Sequence, residues 1–233
     1  MRIAIMQPYF FPYIGYFQLI NAVDEFVFYD DVNFIKKSYI NRNSILLNQK
    51  AFQFTTPLKE ASQNKLIKDI EVYTDQKWFN GFLKTLEHAY KSAPFYEEVV
   101  QIVKTIFNSD YKNISELSMI SVTQVCKYLD VNCKFSLSSN DYPSTKKLTK
   151  AERLIAIAKQ SGKQTYVNAI GGQSLYNKNE FKAQNIDLAF LETHDIKYEQ
   201  FGNEFVPFLS ILDVLMFNSK ASTRELLEKY TLV

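Results

Sequence analysis

The sequence predicts an α/β fold with a parallel sheet and a helical insertion in the middle of the chain, on three observations. Short, continuously apolar runs recur at 3–6, 26–29, 165–167 and 188–191, the pattern of strands buried on both faces. Segments with apolar residues at helical spacing separate them. The stretch 75–130, by contrast, reads as almost entirely helical. At 233 residues and 27.2 kDa the chain falls within single-domain range, so 1–233 is expected to form one α/β domain.

Each element has a local reason. Ile3-Ala4-Ile5-Met6 is a strand, and Pro8 and Pro12 make 7–12 a rigid loop, since proline removes donors and disfavours helix before it. A helix over 13–21 follows, with Ile14, Phe17 and Ile20 on one face, then a strand at 26–29 ending in Asp30-Asp31. Strand, loop, helix and strand within about 30 residues make a βαβ unit, whose crossover is right-handed. Phe52-Gln53-Phe54 and Ile70-Glu71-Val72-Tyr73 read as short strands. Trp78, Phe82, Leu86 and Tyr90 fall at four-residue steps and mark a helix that Pro94 stops; a second covers 96–107, and Ser115 caps a third. The α/β alternation then returns. It comprises a strand at 131–136, a polar stretch at 138–147, and a helix from Thr149 to about Ser161 with Gly162 as its stop. A strand at 165–167, a glycine-containing turn at 168–172 and a short helix at 176–182 come next, followed by a strand at 188–191. An apolar helix at 206–217 is the final element.

Apolar residues make up 46% and charged residues 22%, the balance of an ordinary globule rather than a disordered chain. Lys and Arg number 27 against 25 Asp and Glu. That leaves no general electrostatic reason to bind DNA or an anionic membrane, and it weighs against tRNA. Cys126 and Cys133 form no disulfide framework and lack zinc-site spacing, and His88 and His194 stand far apart, so no metal site is expected. The opening apolar run is too short for a signal segment or a membrane span, which makes the cytoplasm the expected location. The 19 Phe and 15 Tyr reflect a Lys-, Asn-, Ile- and Phe-rich composition, so only clustered aromatics carry functional meaning.

In open parallel sheets ligands bind beyond the carboxyl ends of the strands. The polar segments 7–15, 30–43, 138–147 and 168–176 fall at such ends, so Gln7, Asp30, Arg42, Asn168 and Gly171 are expected to line one cleft. Asp30 and Asp31 leave a strand side by side and cannot both point the same way; one of them is the candidate general base. Asn41 and Asn43 offer amides, and Arg42 a fork suited to carboxylate or phosphate; a plain exposed turn has the same composition. Gly171-Gly172 permits close backbone approach but lacks the third glycine of a dinucleotide fingerprint, and a tight strand-to-helix turn needs it equally. Lys146-Lys147 could hold a diphosphate. Asp213, set among apolar neighbours, is expected to be buried and structural, held by an arginine or by backbone amides.

The loop running from Gln7 to Tyr16 resembles the nucleotide-binding turn of the nucleotidyltransferase-type, Rossmann-like fold. There a His-x-Gly-His sequence opens a helix whose N-terminus receives phosphate. The matching tetrad here is Tyr13-Ile14-Gly15-Tyr16, with both histidines replaced. A longer set of blocks resembles the WbqC-like protein family. It comprises Ile5-Met6-Gln7-Pro8-Tyr9-Phe10-Phe11-Pro12-Tyr13-Ile14-Gly15-Tyr16, Asn41-Arg42-Asn43, Tyr166-Val167-Asn168-Ala169-Ile170-Gly171-Gly172 and Leu209-Ser210-Ile211-Leu212-Asp213-Val214-Leu215-Met216-Phe217-Asn218.

That resemblance implies a role in bacterial O-antigen and surface-polysaccharide biosynthesis, with glycine or another acyl group transferred to the amine of a nucleotide-linked amino sugar. The donor is an adenylate made from ATP, an acyl-CoA or a glycyl-tRNA, which the sequence does not distinguish. Within this reading Gly171, Gly172 and Lys147 serve the diphosphate, and the loop carrying Gln7, Tyr9, Tyr13 and Gly15 serves the base. Asn41, Asn43 and Asn168 read sugar hydroxyls, Arg42 takes an anionic group, and Asp30 or Asp31 accepts the ammonium proton. The alternatives are a non-catalytic sugar-nucleotide-binding or scaffold protein, and a divergent nucleotidyltransferase without its histidines.

Overall fold

The computed structural model describes residues 1–73, 76–202 and 204–233. Alternation explains the continuous apolar runs. In β1 (Arg2–Met6), Ile3 and Ile5 join one apolar cluster and Ala4 the cluster on the opposite face. In β2 (Glu25–Phe28), Val27 points with the first set and Phe26 and Phe28 with the second. Every side chain of β2 leaves water, so its residues are apolar except Glu25, which is held by Lys134, Ser136 and Tyr142. Between them α1 (Ile14–Asn21) is buried along nearly its whole length.

β3 (Arg42–Leu47) and β4 (Lys50–Thr55) form a separate antiparallel hairpin. Asn48 and Gln49, both with positive φ, make its two-residue turn. Three helices follow: α2 (Gln76–Tyr90), α3 (Tyr96–Phe107) and α4 (Ile114–Tyr128). The chain then runs through β5 (Lys134–Leu137), α5 (Ser138–Asp141), α6 (Lys150–Gln160), β6 (Thr165–Ala169), α7 (Lys178–Lys182) and β7 (Asp187–Thr193). It ends in α8 (Ile211–Phe217), α9 (Lys220–Leu227) and β8 (Tyr230–Leu232).

The main sheet has the order β5-β2-β1-β6-β7-β8. Its first five strands are parallel and β8 pairs antiparallel to β7. Winding proceeds from β1 through β2 to β5, and then restarts on the other side of β1 with β6. The reversal opens a crevice between β1 and β6 at the carboxyl edge. α6 and α7 contribute Leu154, Ile157 and Phe181 to the cluster on one face; the insertion helices, α1, α8 and α9 cover the other. The structure is thus mixed α/β around a mostly parallel sheet.

Several local readings differ from the sequence expectation. Arg42 and Asn43, expected in a polar segment that either lines the cleft or makes an exposed turn, open strand β3 instead. Residues 70–73 make only the bridges of Val72 to Leu58 and Glu71 to Asn113. The cap of α4 is Asn113, whose side chain accepts from the Glu116 amide, while Ser115 lies buried inside the helix. The 206–217 helix begins only at Ile211, because Pro207 and the left-handed Phe208 (φ 59°) break it, and Ser210 caps what remains. α9 and β8 follow it. The expected insertion boundary at residue 75 lies outside the described residues. Among the described residues no helix is long and apolar enough to cross a membrane.

Candidate functional site

The loop after β1 is held from three directions. Buried Asn43 donates from Nδ2 to the Phe11 carbonyl at 2.7 Å, and Ser210 Oγ donates to the same oxygen at 2.8 Å. Ser121 Oγ accepts from the Phe11 amide at 3.3 Å, and the Phe10 amide donates to the Tyr39 carbonyl. These bonds fix Phe11 at a φ of 42° and bury both phenylalanines completely. Polar backbone that leaves water in this way needs such partners. Tyr16 turns inward as well, its hydroxyl donating to the Gln7 carbonyl at 2.9 Å. The loop therefore presents Gln7, Tyr9 and Tyr13 outward.

They face the crevice between β1 and β6. A cavity of about 480 Å³ there is lined by Gln7, Tyr9, Tyr13, Gly15, Tyr39, Asn168, Gly171, Gly172 and Tyr176, among others. Asn168 is only 7% exposed, and its Oδ1 accepts from the Ala169 amide at 2.9 Å. Its Nδ2, like the side-chain amide of Gln7 and the hydroxyls of Tyr9 and Tyr13, has no hydrogen-bond partner among the described residues. Donors that border a cavity in that state are available to a ligand. Burial pushes both phenols above their ordinary range, helped by neighbouring tyrosines, so they stay protonated and can donate.

The glycines have distinct reasons. A Cβ on Gly172 would lie 2.3 Å from Asn168 Nδ2, so its absence lets that amide lie over the backbone. A Cβ on Gly15 would meet the Tyr13 ring at 2.4 Å. Gly171 has open space beside it.

Asp30 and Asp31 lie beyond β2, almost fully buried. Asp30 accepts from Ser138 Oγ (3.0 Å), the Ser139 amide (3.0 Å) and Ser139 Oγ (2.7 Å). Asp31 accepts from Arg153 at 2.6 Å and shares a short contact with Ser138 Oγ. Arg153 also reaches Thr145 Oγ1 and stacks 4.7 Å from the centroid of Tyr29. Asp30 is enclosed by these donors, while Asp31 borders a cavity but is held by Arg153; neither lines the crevice. Their geometry instead pins α5 and α6 to the sheet edge. Asp31 and Arg153 form the floor of a second cavity, about 380 Å³, whose rim carries Lys146 and Lys150. It shares Tyr29, Leu154 and Tyr176 with the first.

A third cavity of about 450 Å³ lies on the other side of Tyr13, Gly15, Ala169 and Gly171, which it shares with the crevice. Its wall includes His194, Asp195, Ile196 and Tyr198, and further along the chain Phe205, Pro207, Phe208 and Leu209; Tyr198 ties this side to α8 through Asp213. That carboxylate is fully buried and accepts from Tyr90 (2.7 Å), Tyr198 (2.7 Å) and Gln200 (2.6 Å). Burial raises its pKa against the pull of those donors. The expectation of an arginine partner is corrected, since no cation pairs with Asp213 among the described residues; two phenols and a side-chain amide hold it, with the Leu46 backbone amide beside them as expected.

Of the five residues expected to share a cleft, the structure brings together Gln7, Asn168 and Gly171. Asp30 is buried behind the edge. Arg42 sits on β3, its guanidinium donating to the Lys37 carbonyl, and lines none of the three cavities. Asn41 donates to the Thr56 carbonyl at 3.0 Å within the hairpin, so it and Asn43 brace backbone rather than read a ligand. Lys147 is exposed and lies outside the basic cavity that Lys146 and Lys150 border. Tyr39, Tyr176 and Arg153 were missed. The two tyrosines lie in segments already singled out, whereas Arg153 sits mid-helix without any local signal. Among the described residues no three His, Cys, Asp or Glu side chains gather in a way that could hold a metal ion.

Comparison with known proteins agrees with the blocks from which this site is built. The chain is 29% identical over 230 residues to the uncharacterized protein Rv1507c of Mycobacterium tuberculosis (strain ATCC 25618 / H37Rv), covering 97% of each chain. No solved structure matches. The model of the WbqC-like protein family matches residues 7–225, from the amide at the mouth of the crevice through α9. The chain belongs to the WbqC-like protein family.

Proposed function

We propose that this protein is a transferase of bacterial surface-polysaccharide biosynthesis that joins an acyl group, glycyl or another, to the amine of a nucleotide-linked amino sugar. The observation that carries the reading is the Asn168 side-chain amide, which borders a crevice at the topological switch point beside Gln7 and has no hydrogen-bond partner for its Nδ2 among the described residues. The crevice lining includes no ionised side chain, which suits an uncharged base and sugar held by tyrosine faces, phenol donors and amides. The diphosphate belongs with Lys146 and Lys150 over the adjoining cavity. Asp31 serves there as a positioning residue, holding Arg153 under the basic rim.

The same charge-free lining favours a second reading, a sugar-nucleotide-binding protein without turnover, because the crevice offers no carboxylate to act as base. One assay separates them. Purified protein is mixed with a panel of nucleotide-linked amino sugars and, in turn, acyl-CoA, amino acid with ATP, and glycyl-tRNA, and the sugar product is read by mass spectrometry. An acylated sugar establishes the transferase. Tight nucleotide-sugar binding with no product from any donor establishes the binding protein. Magnesium-dependent nucleotide exchange without an amine acceptor refutes both.

A further inference from the structure

We propose that the apolar cavity beyond Tyr13 binds an aliphatic acyl chain, so that the group transferred is a fatty or short-chain acyl rather than glycyl. The proposal rests on the transferase reading and specifies its donor. Ile14, Leu191, Ile196, Phe205, Leu209 and Val214 give the cavity an apolar lining, and its volume of about 450 Å³ is ample for a chain of several methylenes. Phe208 adds a solvent-exposed ring at the rim in a left-handed conformation that a bulky residue rarely adopts, a placement that yields apolar surface to a ligand rather than to the protein core.

A glycyl ammonium would have to leave water there without a free counter-charge. Asp195 is a solvent-exposed lining residue that faces Lys197 at 3.0 Å, so its charge lies toward water, and the buried Asp213 behind Tyr198 is already engaged by three donors. Tyr13, Gly15, Ala169 and Gly171 border both this cavity and the crevice, so the two adjoin, and the acyl carbonyl is assigned to that shared edge, nearest the sugar amine. The uncharged amine nitrogen then forms the C–N bond to the carbonyl carbon of an acyl thioester as the C–S bond to its thiolate leaving group breaks. The proton lost by nitrogen leaves with that group.

The test measures binding of two homologous series, free carboxylic acids and coenzyme A thioesters, from butyryl to octanoyl. Affinity should rise about fourfold per methylene in both series, as burial of each CH₂ dictates. Thr193→Phe and Ile196→Trp, each checked for an intact melting transition, should abolish that slope by filling the cavity. An affinity independent of chain length overturns the proposal, as does a slope that survives in the folded variants. Product formation is scored separately. A clear chain-length slope with no acylated sugar removes the transferase reading and leaves the apolar subsite standing.

Discussion

Replacing Arg153 with methionine removes one half of a buried ion pair while keeping most of the side-chain volume. Arg153 and Asp31 side chains are 4% and 1% exposed and meet at 2.6 Å. Without the guanidinium, Asp31 keeps only the Ser138 hydroxyl, whose single proton it contests with Asp30. Leaving one charge of such a pair uncompensated costs about 3–5 kcal/mol. In a chain of this size each kcal/mol lowers the melting temperature by about 2–4 °C, so the single variant should melt roughly 6–20 °C below the parent. The double variant Asp31→Leu, Arg153→Met should recover much of that loss, since apolar replacement of a whole buried pair is often neutral. Thermal unfolding by circular dichroism measures both. A loss below about 1 kcal/mol in Arg153→Met, or a double variant no better than the single, would refute the argument that the pair is buried and mutually dependent.

Three other expectations follow from the site. The Asp213 carboxyl carries a pKa raised above its ordinary 3.8, chiefly by burial, so between that value and the folded one the native state holds a proton that the unfolded chain has released. Its contribution to stability is full below 3.8 and is lost as pH rises through the folded pKa; in Asp213→Asn, urea midpoints across acidic pH should lack that component of the decline. Asn168→Ala should weaken nucleotide-sugar binding by about 2- to 10-fold, the worth of one hydrogen bond, which titration calorimetry would read; unchanged affinity removes Asn168 from the site. Gly171→Ala projects a methyl into open space and should leave the melting temperature nearly unchanged while weakening ligand binding, whereas Gly172→Ala must first displace the Asn168 amide and should affect both.

What the sequence determined by itself was whatever depends on neighbours along the chain. Ile3, Ala4 and Ile5 declare a doubly buried strand, Trp78, Phe82, Leu86 and Tyr90 declare a helix face, and Pro8 and Pro12 keep the first loop irregular, because periodicity and backbone restriction are local properties. The blocks carrying Gln7, Tyr9, Tyr13, Asn168 and Gly171 were legible for the same reason, since each follows a strand that could be read. The hairpin was not, because its two-residue turn uses Asn48-Gln49 without the glycine that usually marks such turns, and β3 opens on three polar residues, Arg42, Asn43 and Ser44. Once folded, that strand turned Asn41, Arg42 and Asn43 from apparent ligand groups into braces on backbone carbonyls. The fate of a carboxylate is likewise settled only in three dimensions. Asp30 and Asp31 look free at a strand end until Ser138, Ser139 and Arg153, more than 100 residues away, arrive to occupy them. Asp213 depends in the same way on Tyr90 and Gln200 from other elements. Burial and hydrogen bonding are sums over every element that packs at a point, and only the tertiary fold brings those elements together.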